Sequence, residues 1–331
     1  MSKNSSSDLT IKDKIFAHIE IWRPYTVIWC GLVSLAGACL ANRAFPPLTT
    51  SILVTIIPIM GWIAGLYLID FIDRKLDIIQ KPHRPIPSGR IKREEALIFG
   101  AVFVIIGFLL TFFLNPINLF LIFIVAILVF SYAKFTKSRG IIGNINRGLV
   151  TVSAYFFGVF SINLSIQSIS SYIWFFSLLF LIHDTNSNMV GAIRDIEGDK
   201  KGGYITLPVK LGIKKTGYIS LLMTVIWFSL VLFFTLYYEF LKNEFYLVLI
   251  IDLLILISFY VYLFNSMKKY SRKKALNYHK FFVIERIVMA SAIIFGIADL
   301  YISLIIFLIA IIITSTFQYA LRDRYEFREI K

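Results

Sequence analysis

Charge is what this chain has least of. Only 16% of its 331 residues are Asp, Glu, Lys or Arg, where a soluble domain carries about a quarter. With 58% hydrophobic and 16% aromatic residues, the deficit excludes an ordinary water-soluble domain and leaves a chain dissolved in lipid. Cysteine is almost absent too. Cys30 and Cys39 share one apolar stretch without CxxC spacing, which excludes a disulfide framework or thiolate metal site and reads as packing. No HExxH spacing occurs, and the lone His183 and His279 read as structural or interfacial. The first eight residues are polar and lead into no apolar h-region with a cleavage site, so they do not read as a signal peptide. From Leu9, apolar residues recur at helical spacing, which predicts a short amphipathic helix in the membrane interface, with a solvated tail as the other reading before Ile15.

What is present is a series of long apolar runs. Ten are long enough to span a bilayer: residues 24–40, 51–72, 96–114, 118–133, 148–166, 172–193, 217–238, 244–265, 281–298 and 301–319. The last two can also be read as one element broken at Asp299. If the first run points outward, 32 of the 34 Lys and Arg residues fall on the cytoplasmic side, leaving only Arg43 and Lys242 outside. The net charge of +14 is then topology, and no nucleic acid partner is expected, since that would need the basic residues on one folded surface. The expected fold is an all-α polytopic transmembrane helical bundle of nine or ten spans with its active-site mouth on the cytoplasmic side. It forms one domain over residues 1–331, with an interfacial segment at 1–23 and a cytoplasmic tail at 320–331. The N-terminus is expected in the cytoplasm, and the membrane to be a prokaryotic plasma membrane.

Two helix ends carry acids. Asp70, Asp73 and Asp77 stand at i, i+3 and i+7, and Asp195 and Asp199 at i and i+4, each set on one helical face. Four spans separate the sets, so both emerge on the same side. Clustered carboxylates repel unless neutralised, and oxygen-only ligands suit Mg²⁺ shared with substrate phosphates. Lys81, His83, Arg84 and Arg90 follow the first set, and Arg194, Lys200 and Lys201 flank the second, as a metal-bound diphosphate requires. Asp184 lies on the stripe of Asp195 but about 16 Å deeper. It reads either as an acceptor-site or proton-accepting group or as a structural helix contact. Asp252 has no assigned role.

The segment DFIDRKLD…KPHRPIPSG resembles the first motif of the UbiA family of intramembrane prenyltransferases, and RDIEGDKKGGYITLPVKLG resembles its second. Residues 132–144 resemble the family's connecting loop, with Lys137 at its lysine and Ser138 where arginine is usual. Ile69 stands where the family's first motif has Asn. Together the motifs extend over nearly the whole chain. The resemblance implies a prenyl diphosphate donor held through Mg²⁺ by Asp73, Asp77, Asp195 and Asp199, with Asp70 as a further ligand. It implies diphosphate contacts from Lys81, Arg84, Lys137, Arg194 and Asn144. Its first implication for the acceptor is a small aromatic molecule, as in quinone-precursor or secondary-metabolite synthesis. A glycerol-phosphate lipid acceptor or intramembrane terpene cyclisation is the alternative. A cation-coupled transporter or lipid-binding membrane protein is the reading of a different class; it would want acids at midmembrane, where only Asp184 and Asp252 stand.

Overall fold

A computed structural model describes residues 9–162 and 165–327; the polar start read from residues 1–8 lies outside the described residues. A short helix α1 (Ile11–Trp22) precedes α2 (Pro24–Asn42), α3 (Leu48–Gln80), α4 (Arg93–Thr111), α5 (Ile117–Ser131) and α6 (Ile141–Phe160). Then come α7 (Ser171–Lys201), α8 (Leu207–Tyr238), α9 (Asn243–Ser266), α10 (Arg272–Ile297) and α11 (Leu300–Phe327). No strand forms among the described residues beyond an isolated bridge between Arg139 and Ile205. Each predicted apolar run maps onto one of the ten helices α2 to α11, in order.

Among the described residues, seven helices are long and apolar enough to cross a membrane: α2, α3, α4, α5 with the turn after it, α8, α9 and α11. The chain is an integral membrane protein. Helices α6, α7 and α10 miss that standard because they carry polar side chains, among them Asn144, Asn146, His183, Asp184, Glu285 and Arg286, all of them buried. Polar groups inside a bilayer turn toward the bundle interior, so these three are interior helices. Helices α2 and α6 approach very closely. A Cβ built on Gly158 would lie 1.7 Å from the Ser34 carbonyl oxygen, and one on Gly37 2.3 Å from that of Tyr155.

The predicted amphipathic helix is present as α1. Ile11 and Ile15 are exposed while Ala17 and Ile21 are buried, and it docks on α3, where Tyr67 Oη takes a bond from Trp22 Nε1 at 2.9 Å and meets His18 Nδ1 at 2.6 Å. The far end departs from expectation. Residue 320 does not begin a solvated tail, because α11 runs on to Phe327 with Arg322, Tyr325 and Glu326 buried. These side chains find ion pairs and hydrogen bonds inside the bundle, which makes their burial tolerable.

Candidate active site

The acids at the end of α3 point inward together. Asp70, Asp73 and Asp77 are 3%, 5% and 4% exposed, as their shared helical face requires. They line a cavity of about 200 Å³ that Asp195 and Asp199, from the end of α7, line as well. The two acidic clusters therefore meet in one mouth. The Gln80 side-chain amide donates to the Gly198 carbonyl, and a Cβ on Gly198 would fall 2.4 Å from Gln80 Oε1. Glycine at 198 lets the two helix ends close up.

Each of these carboxylates already has a polar partner. Arg84 Nη1 donates to both oxygens of Asp77, at 2.9 and 3.1 Å. Lys137 pairs with Asp73. Asp195 receives Arg194 Nε at 3.1 Å and Lys81 Nζ at 3.3 Å, while Asp199 accepts from the Thr206 hydroxyl at 3.1 Å. Asp70 is taken by Arg23 and by the Tyr325 hydroxyl, the latter at 3.1 Å.

Local backbone places the cations. Lys81 caps α3, its N–H bonding the Asp77 carbonyl at 2.7 Å, and the turn that follows folds Arg84 back onto Asp77. Burial, with Arg84 beside it, holds the Lys81 ammonium below its ordinary value despite Asp195 and Glu326. Lys137 follows a single π turn, Tyr132–Thr136, a form that often marks functional sites. Ile205 N donates to the Ser138 carbonyl at 3.0 Å, tying the Lys137 loop to the loop after α7. Burial opposes the charge on Lys137, but the Asp73 carboxylate outweighs it and holds the ammonium above its usual range. Asn144 accepts from Asn188 Nδ2 at 2.9 Å at the cavity wall, and Arg147 lies 4.1 Å over the Trp62 ring.

Other predicted residues fall elsewhere. Asp184 is 2% exposed, does not line the mouth, and has no partner for Oδ2 among the described residues. Arg90 faces away, bonding Glu20 at 2.6 Å and the His83 carbonyl at 2.8 Å, so it braces the loop onto α1. His183, read as structural or interfacial, is buried and pairs with Glu285 at 2.8 Å. His279, read the same way, lines the mouth and bonds Arg322.

Several residues of the mouth escaped sequence reasoning. Glu326 bridges Lys81 at 3.0 Å, Arg194 at 3.3 Å and Arg272 at 3.4 Å. The Tyr325 ring lies 4.5 Å from the Arg23 guanidinium and 4.2 Å from that of Arg84. Arg23 itself stands at the α1–α2 corner in the left-handed region, φ 48°, which non-glycine residues adopt only when neighbours hold them; Asp70 and Tyr325 do so. The only sequence signal was that Arg322 and Glu326 are four apart and keep the helical phase of the apolar run before them.

Magnesium fits the donors present. The candidate ligands are carboxylates alone, and Asp73 Oδ1 is buried without a partner. Among the described residues no three His, Cys, Asp or Glu side chains close into a metal cage. An open set of this kind suits Mg²⁺, which keeps water and takes phosphate oxygens to complete its shell. Beside the mouth, between α3, α5 and α6, runs an apolar groove of about 110 Å³ lined by Pro58, Val125, Val150 and Phe157. Ile69, Trp62, Leu66 and Arg147 line both spaces, so the groove opens where the acids end.

Residues 29–284 match the family model described as the UbiA prenyltransferase family. The digeranylgeranylglyceryl phosphate synthase of Methanosarcina barkeri is 32% identical over 259 residues, 73% of this chain and 87% of that protein. A solved structure of a digeranylgeranylglyceryl phosphate synthase superposes with a TM-score of 0.62 at 26% identity, covering 86% of this chain and 98% of its own. A UbiA homologue from Archaeoglobus fulgidus, bound to DMAPP and Mg²⁺, shares the fold with a TM-score of 0.59 at 15% identity, covering 82% of this chain and 98% of its own.

Proposed function

This chain belongs to the UbiA prenyltransferase family, and on that premise we propose that it transfers a geranylgeranyl group from its diphosphate to a hydroxyl of a glycerol-phosphate lipid, using Mg²⁺. The acceptor class placed first by the sequence, an aromatic, gives way to the second, because the similar relatives are named for a glyceryl phosphate product. The observation that carries the donor half is the pairing of carboxylate with cation around one cavity. Those pairs are poised to separate. Asp73, Asp77, Asp195 and Asp199 would hold Mg²⁺, while Lys81, Arg84, Lys137 and Arg194 turn to the phosphate oxygens.

Bound magnesium would neutralise charge on the departing diphosphate. The protein's cations add to this where negative charge develops, which favours cleavage of the allylic C–O bond. Both electrons of that bond leave with the diphosphate. The acceptor hydroxyl oxygen then bonds the allylic carbon and gives up its proton to the released diphosphate. The apolar groove that opens at Ile69 offers room for the prenyl chain and keeps water from the reacting carbon. Asn144, held by Asn188, stands at the wall between loop and cavity as a neutral diphosphate donor. The basic bias of 32 in 34 supports a mouth on the cytoplasmic face of the plasma membrane, where soluble phosphorylated substrates are found.

The test is product analysis by mass spectrometry after incubation with Mg²⁺, geranylgeranyl diphosphate and either geranylgeranylglyceryl phosphate or hydroxybenzoate. Formation of the digeranylgeranyl lipid supports the assignment. Prenylation of the aromatic alone overturns it.

A further inference from the structure

Six carboxylates and eight Lys or Arg side chains line the mouth. Five of the eight, Arg23, Lys81, Arg84, Lys137 and Arg194, have a carboxylate within 4.0 Å. The other three, Arg147, Arg286 and Arg322, have none among the described residues. Arg147 is half-buried and covers the Trp62 ring. Arg286 and Arg322 are 5% and 1% exposed and stand on α10 and α11, the wall that carries none of the proposed metal ligands.

Their present bonds are to neutral groups. Arg322 gives Nη1 to Gln318 Oε1 at 3.0 Å and Nη2 to His279 Nδ1, and its Nε has no partner. His279, accepting at Nδ1, carries its proton on Nε2. Arg286 donates to Ser187 Oγ at 3.1 Å and to the Phe282 carbonyl at 3.4 Å. It lies seven residues beyond His279 on α10, about 10 Å deeper in the bundle. The Glu326 carboxylate is the one acid among the nearest charged neighbours of Arg322, and it is already shared among Lys81, Arg194 and Arg272. Buried guanidiniums are costly without a counter-ion; Arg286 has the Asp184 and Glu285 carboxylates among its charged neighbours, whereas the chain supplies no unshared carboxylate to Arg322. An anionic substrate would. The donor's diphosphate belongs with the acids of α3 and α7, so the anion left to meet this wall is the acceptor's.

On the glycerol-phosphate reading given above, we propose that Arg322, with His279 beside it and Arg286 below, forms the subsite for the acceptor's phosphate. A fork of guanidinium N–H groups matches phosphate oxygens in geometry as well as charge. A neutral acceptor would leave Arg322 without a counter-ion of its own.

The full chain in detergent, kept in EDTA so that the metal-dependent donor site is idle, can be titrated with geranylgeranylglyceryl phosphate and with the same lipid lacking phosphate, followed by tryptophan fluorescence. Wild type should bind the phosphate lipid at least tenfold more tightly than the alcohol, and inorganic phosphate should displace only the former. Arg322→Gln should abolish the preference while its donor KM, measured with Mg²⁺, stays within twofold; Arg322→Lys should keep part of it. Arg286→Gln, expected to weaken the preference, serves where Arg322→Gln does not fold. A wild type that prenylates the phosphate lipid, with the preference intact in the folded Gln variants, overturns the subsite alone. A wild type that prenylates hydroxybenzoate and ignores the phosphate lipid overturns the acceptor assignment instead.

Discussion

At the scale of single residues, the mouth is a set of exchanges waiting to happen. Asp73→Ala, Asp77→Ala, Asp195→Ala and Asp199→Ala each remove a proposed Mg²⁺ ligand, one expected to count most as diphosphate departs, and turnover should fall roughly 100-fold or more; wild type in excess EDTA should be inactive. Steady-state assays on variants of verified abundance check both. Glu326→Gln is expected to act differently. It leaves Lys81, Arg194 and Arg272 short of a counter-charge, so the ligand-free protein should melt earlier, and the rise in Tm on adding donor with Mg²⁺ should exceed that of wild type. An equal rise would mean that Glu326 does not compete with substrate for these cations. Asp184→Asn tests the reading left open by the sequence. With Asp184 outside the mouth, donor KM should hold while kcat falls; a lower Tm with normal turnover per folded molecule would make it a packing residue. The clustered acids were legible because helical spacing alone puts them on one face. Arg322, Tyr325 and Glu326 were not, because a charged stretch after an apolar run looks the same in sequence whether water or a buried partner receives it.

Among the helices, the division of labour follows composition. Helices α4, α5, α8, α9 and α11 present apolar surface outward, with large apolar side chains exposed along each, whereas α6, α7 and α10 carry many of the buried polar groups and wall the interior. The apolar runs of all ten helices could be read in advance, since lipid demands length and hydrophobicity of each. Their inner ends could not. Helix α3 continues eight residues past the predicted end at residue 72, and α7 eight past 193, because ion pairs inside the mouth satisfy charges that a window of hydrophobicity counts against a helix. Contact between α2 and α6 is where an element-level change should be felt most. Gly158→Ala has a carbonyl in the way rather than a flexible side chain, so the helices must part, at a cost on the order of 2–3 kcal/mol. Thermal unfolding in detergent should show a lower Tm with residual activity per folded molecule unchanged; an unaltered Tm would place the helices farther apart.

For the whole molecule, one asymmetry organises everything else. Acids, bases and the ends of α1, α3, α7 and α11 gather at one end of the bundle. Glu20 links three of these pieces, accepting from Arg90 at 2.6 Å and forming an ion pair with Arg324 at 2.7 Å, so α1, the loop after α3 and the end of α11 close around the mouth as a unit. The same end holds nearly all the Lys and Arg, and positively charged segments stay cytoplasmic during insertion. The mouth is therefore expected to face the cytoplasm, with the turn carrying Ser88 on that side and the start of α3 on the other. Ser88 and Thr49 are both exposed, and the native Cys30 and Cys39 are buried, which keeps the background of a thiol label low. Ser88→Cys should therefore react with a membrane-impermeant maleimide only after cells are opened, and Thr49→Cys should react in intact cells. Labelling of Ser88→Cys from outside would invert the bundle, and a phosphorylated donor made in the cytoplasm would then have no route to the carboxylates that are placed to receive it.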